Sequence, residues 1–203
     1  NMGRIEKNKK YQEEAVYQFL VHAKYLADRK SGLWYHGWTF LENNNFSGAF
    51  WGRGNCWITA AIPEFLSLVS CSGSERRYLK ELLNRQVAAL AELQEKNGSW
   101  RTLLDDKTSY EEVSATCGIA DGIMHAVRMG LIDSSYTCCA EKALNTVLEN
   151  IDSDGVVHNV SYGTPMGRIS KDFYKNIPIQ PMPYGQALAM LFLLEVIKAF
   201  EQA

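Results

Sequence analysis

A chain of 203 residues is long enough to bury a core as one domain, residues 1–203. Its net charge of −2 lacks the basic field that nucleic acid requires, and no apolar run reaches the roughly 18 residues of a membrane span, so neither partner is expected. The five cysteines are odd in number and Cys138 adjoins Cys139, which points to free thiols in a reducing compartment and hence to the cytoplasm.

From about Asn8 to Asp28, apolar residues at Ala15, Val16, Phe19, Leu20, Ala23 and Leu26 fall on one helical stripe. Lys and Glu surround this stripe, unlike the apolar run of a signal peptide. Gly32 ends the helix, and an aromatic loop follows from Gly32 to Trp57. A second helix, roughly Asn55 to Val69, is apolar nearly all round, and Pro63 predicts a kink or a fresh start within it. Ser72 with Glu75 forms a capping box before a charged helix that runs to Lys96 and stops at Asn97-Gly98. Ser109 with Glu112 repeats that signature and opens a helix to about Met129, whose Ser114, Ala115, Ala120 and Gly122 allow close packing. Another amphipathic helix covers Ser134 to Asn150. A long loop with Pro165, Pro178, Pro181 and Pro183 then leads to an apolar helix from Tyr184 to Gln202.

Gly32, Gly98 and Gly155 each follow a charged helix and precede a loop to a greasier one, at spacings of about 60 residues. This weak repeat predicts an all-α fold of three helical hairpins, charged helices outward and greasy ones inward, with the loops gathered at one end.

The chemistry concentrates in Gly32–Trp57, which holds four of the five tryptophans. Indole faces at Trp34, Trp38, Trp51 and Trp57 suit the C–H edges of a pyranose. Arg53 offers a carboxylate two parallel hydrogen bonds, Gly52 and Gly54 clear space beside it, and a helix start near Asn55 adds a favourable field for an anion. His36 adds a polar ring nitrogen. Together these residues predict a pocket for an acidic sugar. The competing reading has the aromatics cap a helical core while Arg53 pairs with a nearby glutamate.

Other chemistries lack their residues. No His or Cys pair has metal-ligand spacing, no phosphate loop or nucleophile elbow is found, and neither metal nor cofactor is expected. Cys56 and Cys117 lie in greasy helices as small core residues. His22, His125 and His158 read as structural or surface residues. Asp105 and Asp106 are adjacent, so their side chains diverge, unlike the facing pair of a glycosidase. Glu111 and Glu112 read as first-turn residues, and Glu42 is a weak stand-in for an acid.

Gly32-Leu33-Trp34-Tyr35-His36-Gly37-Trp38 and Asn45-Phe46-Ser47-Gly48-Ala49-Phe50-Trp51-Gly52-Arg53-Gly54-Asn55-Cys56-Trp57 resemble the unsaturated rhamnogalacturonyl hydrolases of glycoside hydrolase family 105, relatives of the family 88 unsaturated glucuronyl hydrolases. Ser109–Ala120 and Tyr184-Gly185-Gln186-Ala187 resemble the same family in the same order. The resemblance implies an (α/α)6 barrel of six hairpins, of which about three are expected here as a C-terminal half. It implies hydration of the C4=C5 double bond of an unsaturated uronic acid by an aspartate acting as general acid and base. It also implies substrate contacts at His36, Trp51, Arg53 and Trp57. That aspartate and a second one align upstream of this chain, so no catalytic residue is assigned.

The expected partner is an acidic unsaturated oligosaccharide, together with a missing N-terminal half or self-association through exposed helical faces. The alternatives are a non-enzymatic helical module that binds acidic sugar or completes its ring with a partner chain, and a toroid of another activity such as a sugar epimerase.

Overall fold

In the computed structural model, which describes residues 2–201, the chain is helical, and the described residues form isolated β-bridges but no sheet. A short α1 (Met2–Ile5) precedes three hairpins: α2 (Lys9–Leu26) with α3 (Gly52–Leu68), α4 (Gly73–Leu93) with α5 (Val113–Arg128), and α6 (Thr137–Glu149) with α7 (Pro183–Glu201). Turns of 3-10 helix at Ser134–Tyr136 and Lys171–Asn176 lead towards α6 and α7. The expected end of the last helix at Gln202 lies outside the described residues.

The inner helices α3, α5 and α7 pack side by side, with α5 in the middle. Small residues on α5 set the spacing: a Cβ at Gly122 would stand 2.5 Å from the Thr59 backbone of α3, and one at Gly118 would stand 2.6 Å from Cys56 Sγ. Leu79, Leu83, Val87 and Leu90 of α4 close the core from outside, and the buried Trp100 donates its Nε1–H to the Leu90 carbonyl at 2.8 Å. Among the described helices α5 is the one buried nearly all round, as a helix between two neighbours must be.

The repeat read from three glycines has a structural cause. Gly32, Gly98 and Gly155 all take left-handed φ, +81°, +93° and +79°, after α2, α4 and α6. A Cβ at Gly32 would lie 2.7 Å from the Arg85 carbonyl of α4, and one at Gly98 would collide with the Lys142 carbonyl of α6. Each turn is thus seated on the backbone of the next outer helix. The third has no such seat, since no atom of the described residues comes within 4 Å of a Cβ placed on Gly155.

Several boundaries moved. The Ser72–Glu75 capping box forms as expected. Ser109 does not cap α5: it closes a turn on Asp106, Arg101 bridges Glu111, Glu112 is extended, and the Ser109 hydroxyl serves the Leu103 and Asp106 carbonyls. Glu112 is itself the N-cap, its carboxylate accepting the Ala115 N–H at 2.6 Å. α3 begins three residues earlier than expected, at Gly52, and continues through Pro63 as one helix. The early start brings Arg53 into the helix, one turn before Trp57.

α7 is long and apolar enough to cross a membrane by length and composition. It packs along α5 through Leu188, Ala189 and Phe192, and its Glu195 pairs with Arg128 of α5 at 2.8 Å. Met190, Leu191, Leu194, Ile197 and Phe200 form an exposed apolar ridge on its other side.

Candidate functional site

The three inner helices all start at the end where the long connectors gather. Trp51 is the N-cap of α3, and the chain beside it pairs with the 99–112 connector: Gly52 N–H donates to the Thr102 carbonyl at 2.8 Å and Leu104 N–H to Phe50 at 3.0 Å. Buried Asn55 staples the aromatic loop to α3. Its Oδ1 accepts the Trp34 N–H and its Nδ2 donates to the Trp34 carbonyl, both at 2.8 Å.

Arg53 lies at the centre and is 1% exposed. Its Nη1 donates to Ser114 Oγ at 3.1 Å and the Ser161 carbonyl at 2.9 Å, and Nη2 donates to the Gly163 carbonyl. The guanidinium is held between the rings of Trp51 and Tyr184, 4.7 and 4.4 Å from their centroids. Glu112, fully buried, neutralises it across 3.5 Å. The same carboxylate accepts the Ser114 hydroxyl and the Ser161 N–H, each at 2.8 Å. The pairing of Arg53 with a nearby glutamate is therefore what the structure contains, and the glutamate is one read from sequence as a first-turn residue.

His36 tilts over Trp51 with centroids 4.4 Å apart, and its Nδ1 meets Tyr174 Oη at 2.5 Å. Burial first, then the Arg53 cation, lowers its pKa to about 4, so the ring is neutral at ordinary pH. Trp51 thus has His36 and Arg53 on its indole, which brings three of the expected residues together. The indole itself is 1% exposed and Trp34 is 2% exposed, so neither presents a face to a ligand. Trp38 is half-buried against Tyr25, centroids 5.2 Å apart.

Trp57, 46% exposed, lines a concave cavity of about 510 Å³ along α3, α5 and α7. Asp121, His125, Arg128, Glu195 and Lys198 share that cavity. Burial, then the Glu195 charge, raises Asp121 to about 7. Asp105 and Asp106 do diverge, one pairing with Lys171 at 3.0 Å and the other with Lys175 at 2.7 Å. Glu42 is exposed.

Sequence reasoning missed Glu112 as the counter-ion and Tyr184 as a guanidinium platform, although both lie in stretches that carry the family resemblance. Tyr174 and Asp121 carried no local signal.

Inner and outer helices in three hairpins, with a polar and aromatic site at the loop end, define part of a six-hairpin (α/α) toroid of the glycosidase type. The chain belongs to Glycosyl Hydrolase Family 88, whose sequence profile matches residues 1–200. It is 34% identical over 198 residues to unsaturated rhamnogalacturonyl hydrolase YesR of Bacillus subtilis (strain 168), covering 97% of this chain and 56% of that protein. It is 31% identical over 167 residues to an unsaturated 3S-rhamnoglycuronyl hydrolase of Alteromonas sp. (strain LOR), covering 79% of this chain and 40% of that protein. A crystal structure of a possible GH105 member from Salmonella enterica serovar Paratyphi A superposes with a TM-score of 0.95 at 46% identity, over 98% of this chain and 53% of that one. The chain thus spans about half the length of these relatives.

Proposed function

We propose that residues 1–203 form one domain, the C-terminal, substrate-holding half of a hydrolase that hydrates the C4=C5 bond of unsaturated uronic acid oligosaccharides of the rhamnogalacturonan type. The general acid and base lies outside this chain, and the odd, partly adjacent cysteines favour the cytoplasm. The observation that carries the reading is the meeting of His36 and Arg53 on the Trp51 indole at the start of α3.

The sugar lies over that first turn. Its carboxylate takes the place of the Gly163 carbonyl on Nη2 of Arg53, while Ser114, Glu112 and the two flanking rings keep the guanidinium in plane. Trp51 supports His36 from beneath, and Trp38 and Trp57 supply aromatic edges at the rim and in the cavity.

The test is tryptophan-fluorescence titration with an unsaturated galacturonyl disaccharide. Trp57→Ala is expected to cost about 1 kcal/mol, the worth of an aromatic contact. Arg53→Lys, which keeps the charge but loses the planar fork, is expected to weaken binding by roughly 1.5–3 kcal/mol. Unchanged affinity in both folded variants would remove these residues from the site.

A second reading, a non-enzymatic acidic-sugar module that completes its ring with a partner chain, is favoured by the open seat at Gly155 and the apolar ridge of α7. On that reading the purified chain self-associates in sedimentation.

A further inference from the structure

Tyr174 stands 138 residues from His36 in sequence, yet its hydroxyl meets the imidazole directly. The direction of this bond decides what His36 can offer a ligand. A neutral imidazole carries one N–H, and the ring nitrogen that accepts a hydrogen bond leaves the proton on the other.

The phenolic oxygen settles the direction. Tyr174 is fully buried, and among the described residues His36 Nδ1 is the one hydrogen-bond partner of its hydroxyl. A phenolic hydrogen turned away from His36 would be buried without an acceptor, so the hydroxyl donates to Nδ1. Nε2 then holds the ring proton, and among the described residues it has no partner. The Cδ2 corner beside Nε2 lies 3.9 Å from where a Cβ on Gly54 would be, so this edge looks onto the first turn of α3, which carries no side chain at that point.

We propose that Tyr174 is a positioning residue that fixes His36 as the Nε2–H tautomer, so that His36 meets the sugar as a neutral hydrogen-bond donor and selects an acceptor oxygen there. The sugar part of this inference rests on the function proposed above; the tautomer part does not. The 3-10 turn Lys171–Asn176 that carries Tyr174 is held in place from the far side, Lys171 by Asp105 and Lys175 by Asp106, at 3.0 and 2.7 Å. Asp105 and Asp106 therefore serve to seat the turn that carries the tyrosine.

The experiment is a two-bond ¹H–¹⁵N correlation spectrum of the imidazoles in the ¹⁵N-labelled chain at neutral pH, with His36→Gln identifying the His36 signals. The wild type is expected to show an unprotonated Nδ1 and a protonated Nε2. Tyr174→Phe is expected to move the pattern towards the average of two tautomers. A protonated Nδ1 in the wild type, or a pattern unmoved in Tyr174→Phe, overturns the proposal, and neither reading requires a sugar.

Titration with the unsaturated galacturonyl disaccharide then tests the donor role. Tyr174→Phe is expected to weaken binding about 3- to 10-fold, as for one neutral hydrogen bond. His36→Gln, whose amide keeps a donor, is expected to bind better than His36→Ala. Equal loss in the Gln and Ala variants overturns the donor role. Absence of any binding by the wild type, with the tautomer confirmed, overturns the functional reading instead.

Discussion

Replacing Glu112 by Gln tests the internal network around Arg53 more sharply than any change at the arginine. Both side chains are essentially inaccessible, 0% and 1% exposed, and their charges face each other across 3.5 Å. The carboxylate also accepts Ala115 N–H at 2.6 Å and Ser161 N–H at 2.8 Å on its two oxygens. An amide keeps the size but has a single acceptor oxygen, so whichever way it turns one buried backbone N–H loses its partner, at a cost of about 1–3 kcal/mol. The buried guanidinium loses its counter-ion as well, and breaking a buried pair from one side costs about 3–5 kcal/mol. These two effects overlap, and the expected total is about 3–5 kcal/mol, a large part of the roughly 5–15 kcal/mol that holds a domain together. Urea unfolding followed by tryptophan fluorescence measures it, with the slope against urea unchanged. Combined with Arg53→Met, the double-mutant cycle should show a coupling of at least about 1.5 kcal/mol. A single-variant loss below about 1 kcal/mol with negligible coupling would refute the pair as the tie between α5 and residues 161–163.

The seated glycines give a graded series: Gly32→Ala and Gly98→Ala must bear both the left-handed backbone and a carbonyl in contact, whereas Gly155→Ala bears only the former, about 1–2 kcal/mol, and thermal unfolding should rank it mildest. If all three cost the same, the next outer helix is not what the first two turns rest on. His36, lowered from 6.5 to about 4, binds fewer protons folded than unfolded, so its contribution to stability is present above pH 6.5 and is lost as pH falls towards 4, by up to about 3 kcal/mol. His36→Gln should flatten that slope in unfolding curves recorded between those limits. Asp121 has the opposite sign: raised from 3.8 to about 7, it stabilises the fold fully at low pH and less as pH rises through 7. Asp121→Asn should therefore raise stability most near pH 8, by roughly 2–4 kcal/mol, and an equal effect at pH 4 and pH 8 would contradict the burial of its charge.

The hairpins were legible because their signals are local. Ser72 and Glu75 cap a helix three residues apart, and each turn glycine is needed by its own φ. The site was legible as a cluster but not in its wiring. An indole in a sequence does not reveal which of its faces is covered, and Trp34 and Trp51 are closed off by Asn55, His36 and Arg53 while Trp57 turns to the cavity. Whether Arg53 faces a ligand or the protein depends on Ser161 and Gly163, more than a hundred residues away, in a segment with no periodicity to read. Glu112 was assigned to the wrong cap position because Ser109 and Glu112 match the spacing of a capping box, whereas Ser109 closes a turn on Asp106 and Glu112 is extended.

The most direct measurement is calorimetric titration of the purified 203-residue chain with an unsaturated galacturonyl disaccharide, following the ultraviolet absorbance of its double bond in the same sample. The account predicts saturable binding that a neutral disaccharide does not reproduce, with the absorbance constant because the acid and base is elsewhere. Equal binding of the neutral sugar, or no binding at all, would contradict the acidic-sugar site, and a falling absorbance would contradict the assignment of catalysis to residues outside this chain.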